Sequence, residues 1–160
     1  MPWQKVHPLR WQVLRPGLPP EAAYFPGDED RETLHFAALT EEGEVVGVAS
    51  YFSEVYEPLY QGTRMYRLRG MATHPDWQRQ AGIGTLLLRR SLSFLKAQGI
   101  EVVWCYARIE AVAFYQKNGF QRWEAAGQID IPGVGLHEVW YIPLKADEKN
   151  IASYRAQSLQ

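Results

Sequence analysis

The sequence predicts a mixed α+β domain, and three observations predict it. A strand-like run from Met65 to Thr73 is closed by His74-Pro75, and two glycines, Gly82 and Gly84, then open an apolar helical pattern. The pattern runs to about Gln98, and a continuous apolar run, Val102-Val103-Trp104-Cys105, follows it. Strand, helix and strand in that order make a parallel crossover. Upstream, Thr33 to Leu39 and Glu44 to Phe52 are strand-like, and the hairpin signal Glu41-Glu42-Gly43 joins them.

The elements follow in order. Met1 to Val6 reads as a short strand. His7 to Arg15 reads as a helix with Pro8 at its first position, where a missing N–H does no harm, and Pro16-Gly17 ends it. Leu18 to Glu32 holds three prolines and the acidic run Asp28-Glu29-Asp30; it is a loop, with a helical turn at Glu21-Ala22-Ala23. After the hairpin, Ser53 to Thr63 connects to the strand that ends at Thr73. Gly70 lies inside that strand, which marks a bulge or a close backbone approach. Ile83, Leu86, Leu87, Ser91, Phe94 and Leu95 make one face of the next helix, and Gly99 ends it. Glu101 to Tyr106 is a buried strand, and Glu110 to Lys117 a short helix ended by Asn118-Gly119. Phe120 to Trp123 starts another strand. Ile131 to Gly135 is a turn, and Leu136 to Leu144 is the last strand. One domain over residues 1–145, with a polar tail over 146–160, accounts for the chain.

Composition narrows the function classes. The chain has 160 residues, 46% of them hydrophobic and 22% charged, as a globular domain requires. A net charge of −1 offers no electrostatic case for nucleic acid. Cys105 is the single cysteine, so an internal disulfide framework is excluded and a reducing compartment is suited. No charged-then-apolar leader opens the chain and no apolar run approaches membrane-spanning length. The expectation is a cytoplasmic protein that engages neither membrane nor nucleic acid.

The stretch that carries chemistry is Arg79-Gln80-Ala81-Gly82-Ile83-Gly84-Thr85. A helix N-terminus presents N–H groups without partners and the positive end of the helix dipole, and glycines let such a backbone close on a phosphate. A P-loop would need a lysine after its second glycine, but Thr85-Leu86 follows Gly84. A dinucleotide loop would need a third glycine where Leu87 stands. What remains is the pattern Arg/Gln-x-x-Gly-x-Gly, from Arg79 to Gly84. It resembles the acetyl-coenzyme A loop of the GNAT superfamily of N-acetyltransferases. Ala111-Val112-Ala113-Phe114-Tyr115-Gln116-Lys117-Asn118-Gly119-Phe120 is similar to that superfamily's later helix and turn, and the two motifs come in the right order. The resemblance covers roughly Met65 to Phe120.

Several expectations follow from the resemblance. The fold would be a central, mostly antiparallel, twisted sheet of six to seven strands flanked by helices, with one parallel pair splayed apart to admit the pantetheine arm. Arg79, Gln80, Ala81, Gly82, Ile83, Gly84 and Thr85 would hold the diphosphate of acetyl-coenzyme A, and backbone groups at Met71, Ala72 and Thr73 the pantetheine and thioester. Tyr115 would be the general acid that protonates the departing thiolate. No metal is expected. The acceptor would be a small-molecule primary amine; a protein N-acetyltransferase and a non-catalytic coenzyme A sensor stay open.

Three departures accompany the likeness. Pro75-Asp76-Trp77-Gln78-Arg79 carries one residue more than relatives commonly have, so Gln78 competes with Arg79 for the motif's first position. Tyr106 or Arg108 stands where relatives often carry an asparagine. Many relatives also place a glutamate on the strand before the glycines, and residues 64–73 contain no carboxylate. A general base must then be Glu54, Glu57, His35, His74, His137 or water, with His137 ahead on position. Arg67 and Arg69 on the same strand would either meet an anionic group of the acceptor or pair with Glu54 or Glu57. A homodimer could form if the last strand were exposed.

Overall fold

The computed structural model describes residues 1–78 and 82–144. The described residues form three α-helices and seven strands. The helices are α1 (Trp3–Leu14), α2 (Ile83–Ala97) and α3 (Val112–Lys117). The strands are β1 (Leu34–Leu39), β2 (Val45–Ser53), β3 (Met65–Thr73), β4 (Val102–Arg108), β5 (Gln121–Arg122), β6 (Gln128–Ile131) and β7 (Gly135–Pro143). One sheet runs in the order β1-β2-β3-β4-β7-β5, with β6 also on β7. The β3–β4 pair is parallel, whereas β1–β2, β4–β7, β5–β7 and β6–β7 are antiparallel. The described residues form two compact units, one from Met1–Ser53 with Leu68–Phe94, the other from Glu54–Arg67 with residues 95–144.

In the first unit, β1 and β2 pair from Leu34↔Tyr51 to Leu39↔Val45, with a bulge between Ala38 and Leu39. The hairpin closes through the Gly43 N–H on the Thr40 carbonyl at 2.9 Å. Helix α1 begins at Trp3, so the short strand expected over Met1–Val6 is corrected to helix. Val6 is fully buried and clusters with Leu9, Val48 and Ala72. Burial of that kind is worth about 1.5–3 kcal/mol per aliphatic side chain, so Val6 and Leu9 together offset the roughly 3 kcal/mol that a proline inside a helix costs.

Beneath α1 lies a buried polar network. Arg10 is 0% and Asp28 3% exposed. The guanidinium donates to Asp28 Oδ2 at 2.7 Å and Oδ1 at 3.1 Å, to the Ala23 carbonyl at 2.9 Å and to Ser50 Oγ at 2.9 Å. Ser50 Oγ lies 2.6 Å from His35 Nδ1, and His35 Nε2 lies 2.9 Å from the Asp28 carbonyl. Those partners assign a neutral imidazole that donates from Nε2 and accepts at Nδ1. Asp28 was expected in a surface loop with Glu29 and Asp30; it is instead the counter-ion of a buried arginine.

Helix α2 docks on β2 of the same unit. Ser91 Oγ bonds the Tyr51 hydroxyl at 2.6 Å while also reaching the Leu87 carbonyl at 2.7 Å. A side chain at Gly47 would meet Leu87 Cδ2 at 3.3 Å and Ile83 Cγ2 at 3.4 Å, so its absence lets the helix approach. The buried positions of α2 are Leu87, Leu88, Ser91, Leu92 and Leu95, whereas Leu86 and Phe94 are 50% and 46% exposed. The face expected from spacing is therefore rotated: Leu88 and Leu92 replace Leu86 and Phe94.

In the second unit, β7 is the central strand. It pairs with β4 from Val102↔Pro143 to Arg108↔His137, and on its other side with β5 and β6. The last strand is thus covered on both sides and offers no edge for a dimer. Leu59, Met65, Val102, Trp104, Val139 and Tyr141 form the core, and Trp104 Nε1 donates to the Glu54 carbonyl at 2.8 Å. Strand β6 was not foreseen: Gln128-Ile129-Asp130-Ile131 alternates but is short, and its partner turn was read as the only feature there. The tail over 146–160 lies outside the described residues.

Two outcomes follow from the network. Replacing Asp28 by Asn should lower the unfolding free energy by about 3–5 kcal/mol, because one member of a buried pair is left uncompensated; a loss below about 1 kcal/mol in urea titration would contradict the pairing. Burial, with a smaller contribution from the Arg10 charge, holds the His35 pKa below its usual 6.5 against the opposing pull of Asp28. The unfolded imidazole then binds a proton that the folded one refuses. Stability from this group is full above about pH 6.5 and falls as pH drops below it, by at most about 1.4 kcal/mol per unit. His35→Gln should flatten that part of the profile, and parallel wild-type and variant profiles would refute the assignment.

Candidate active site

The N-terminus of α2 is built by one residue. Gly82 has φ 69°, in the left-handed region, so the chain entering it cannot already be helical. The first bond of the ladder is Leu86 N–H to the Gly82 carbonyl at 2.8 Å. The N–H groups of Ile83, Gly84 and Thr85 precede it, where an α-helix supplies no internal acceptor. Among the described residues, no acidic side chain stands in this first turn. The place combines amide donors, the positive dipole end and no competing carboxylate, which is what a diphosphate requires. The diphosphate of acetyl-coenzyme A fits that donor set. Arg79, Gln80 and Ala81 lie outside the described residues.

The segment Met71, Ala72 and Thr73 belongs to the same unit and ends β3. Gly70 precedes it with φ 75°, a left-handed residue in the body of a strand. A Cβ at Gly70 would meet Arg10 Nε and Phe25 Cε2, each at 2.9 Å, so both conformation and space demand glycine. Parallel pairing joins Met65, Tyr66 and Arg67 to Val102, Val103 and Trp104, while β3 itself runs on to Thr73 and β4 to Arg108. Downstream, the Gln78 side-chain amide donates to the Thr73 carbonyl at 3.0 Å, and the His74 N–H to Val46 at 2.8 Å. Gln78 is thereby engaged in fixing the strand end.

Tyr115 sits in α3 of the second unit and is 9% exposed. Its ring packs on Phe114 at 5.4 Å and on Phe120 at 5.1 Å between centroids. The turn after it is closed by the Phe120 N–H on the Tyr115 carbonyl at 3.0 Å and by Asn118 Nδ2 on the Phe114 carbonyl at 2.8 Å.

Most candidate bases prove to be engaged. His35 belongs to the buried network. His74 Nδ1 accepts the Asp76 N–H at 3.1 Å and caps a single helical turn over Pro75–Trp77. His137 is 4% exposed, with Nδ1 held by the Gly135 carbonyl at 2.8 Å. Glu54 pairs with Arg67 at 3.1 Å, the ordinary fate considered for that arginine. Glu57 is exposed on a turn over Glu57–Leu59. Arg67 also lies over the rings of Tyr106 at 4.9 Å and Trp104 at 5.4 Å, and Arg69 lies over Phe25 at 4.0 Å. Cys105 is buried, and desolvation pushes its thiol up to about 12, too high to act as a nucleophile near neutral pH.

Comparison with known proteins places this geometry. The family model for GNAT acetyltransferases matches residues 3–120. The chain is 32% identical over 143 residues to the uncharacterized N-acetyltransferase YitI of Bacillus subtilis, covering 89% of this chain and 92% of that one. The chain belongs to the GNAT acetyltransferase family. Among solved structures, a putative N-acetyltransferase from Lactobacillus plantarum shares the fold at a TM-score of 0.71 and 16% identity, over 89% of this chain and 91% of that one. An aminoglycoside 6'-N-acetyltransferase complexed with coenzyme A does so at 0.70 and 12%, over 91% and 92%.

This GNAT acetyltransferase has the mixed sheet and the parallel strand pair that the motifs implied. Among the described residues no helix is long and apolar enough to cross a membrane. The feature that sequence reasoning missed is the polar network behind Gly70. Arg10 and Asp28 are separated by a proline-rich loop, and neither carries a spacing signal that points to the other.

Proposed function

We propose that this acetyltransferase moves the acetyl group of acetyl-coenzyme A directly to a primary amine of a small molecule. The observation that carries the reading is the start of α2, where Gly82 leaves the Ile83, Gly84 and Thr85 amides ahead of the helical ladder. In this reading they hold the diphosphate together with Arg79, Gln80 and Ala81, and backbone groups of Met71, Ala72 and Thr73 hold the pantetheine and the thioester carbonyl. Backbone donors aimed at a developing oxyanion are worth about 3 kcal/mol of barrier each.

The thioester carbonyl carbon is attacked by the neutral amine, the C–S bond breaks, and the thiolate takes a proton. Tyr115 is assigned that proton donation, on the match of its helix to the family motif. His35 is buried in its network, His74 Nδ1 accepts a backbone N–H and Glu54 pairs with Arg67. His137 donates from Nδ1 to the Gly135 carbonyl and so keeps the lone pair of Nε2, and His137, Glu57 or water carries the amine's proton away. For an amine with a pKa near 10.4, only on the order of one molecule in a thousand is neutral near pH 7, so turnover should climb with pH. The small-molecule acceptor is supported by the aminoglycoside 6'-N-acetyltransferase that shares the fold.

Acetyl-coenzyme A at about 100 times its dissociation constant should stabilise the fold by about 2.7 kcal/mol; an unchanged melting temperature at millimolar ligand would defeat the coenzyme reading. Tyr115→Phe should lower kcat on an amine panel by about 10²-fold or more with coenzyme affinity nearly intact. A variant as active as wild type would return Tyr115 to a packing role.

A further inference from the structure

We propose that Arg10 is a positioning residue for acetyl transfer: it and Phe25, both anchored by Asp28, hold Gly70 in its left-handed conformation and so aim the Met71–Thr73 backbone at the thioester. The proposal rests on the reading that this segment faces the acetyl group.

The argument starts at Gly70. A residue with φ 75° in the body of a strand rotates the chain, so the amides after it leave the register of those before it. Glycine tolerates that conformation but does not enforce it, because it populates extended φ as readily. Something must select the kinked form. The two groups in contact with the vacant Cβ position are Arg10 Nε and Phe25 Cε2, each at 2.9 Å.

Both groups are held by one carboxylate. Asp28 accepts two bonds from the Arg10 guanidinium and a third, at 2.7 Å, from the Phe25 backbone N–H. The Phe25 ring has the Arg10 guanidinium at 4.2 Å and that of Arg69, the residue before the kink, at 4.0 Å. Ser50 fixes the far end of Arg10, and His35 fixes Ser50. Arg10 Nε is buried and has no hydrogen-bond partner among the described residues, although every other face of the guanidinium is bonded. An N–H left unpaired in the interior is costly. Here it is the atom pressed against Gly70, which is how a side chain behaves when its position is set by its other contacts.

The test needs no acceptor. Coenzyme A and acetyl-coenzyme A share the diphosphate that the α2 N-terminus would hold and differ at the acetyl group. Isothermal titration of wild type, Ser50→Ala and Gly70→Ala with each ligand separates the two sites, with melting temperature and circular dichroism as folding controls. Arg10→Ala would strip a buried counter-ion and could unfold the protein; Ser50→Ala removes one bond from Arg10 and leaves its pairing with Asp28. Wild type is expected to prefer acetyl-coenzyme A by about tenfold, the worth of a hydrogen bond to the acetyl carbonyl. Both variants should lose most of that preference while their affinity for coenzyme A changes less than about twofold. Folded variants that keep the preference overturn the proposal, as do variants that lose both ligands in parallel. A wild type that binds the two ligands equally overturns it while leaving the coenzyme reading intact. A wild type that binds neither refutes the coenzyme reading itself, and the proposal with it.

Discussion

A single buried carboxylate holds the first unit of this protein together. Asp28 is bonded by α1 through Arg10, by its own loop through the Phe25 amide, and through its backbone carbonyl by His35 of β1. Ser50 brings in β2. A buried ion pair of this kind contributes little net stability over an apolar replacement, but breaking it from one side is severe. Its value is geometric. The pieces fit only when all of them are in place, so the network selects one arrangement of helix, loop and hairpin among those that hydrophobic burial alone would tolerate.

A second constraint acts on the other face of β2, through Tyr51 next to Ser50. Helix α2 could slide along β2 if apolar contacts alone held it. The vacancy at Gly47 and the Ser91–Tyr51 hydrogen bond at 2.6 Å give it a seat. Because the helix is rigid, seating its middle also fixes where its first turn points. The amides of Ile83, Gly84 and Thr85 are therefore placed by contacts made near Leu87 and Ser91, further along the helix.

How much of this was legible in the sequence depended on the range of the physics. The hairpin, the β3–α2–β4 crossover and Gly99 after α2 were legible because turn chemistry and periodicity act over a few residues. The start of α2 was legible because a glycine that adopts left-handed φ followed by an apolar helical run is a local signal. The start of α1 was misplaced because Pro8 is a strong local signal and the burial of Val6, which overrides it, comes from Val48 and Ala72 far along the chain. The face of α2 was misjudged for the same reason: spacing groups Leu86 and Phe94 with Leu87 and Leu95, and only packing on β2 decides which side of that broad stripe turns inward. Asp28 looked like a surface charge between Gly27 and Glu29. No local pattern announces that an arginine eighteen positions earlier will need it.

Gly82 and Gly70 are glycines for different reasons, and the difference bears on how such a site can vary. At Gly82, among the described residues, an added Cβ would touch Thr85 Cβ at an ordinary 3.8 Å, and φ is what excludes other residues. At Gly70 both φ and the contacts exclude them. A residue that tolerates left-handed φ, such as asparagine, could stand at the first position with modest strain, but at the second only if Arg10 or Phe25 also changed. Backbone groups that do chemistry cannot be exchanged one at a time as side chains can. What can vary is the structure that aims them, so coordinated change is expected at Gly70, Arg10 and Phe25, while single substitutions are tolerated more readily around Gly82.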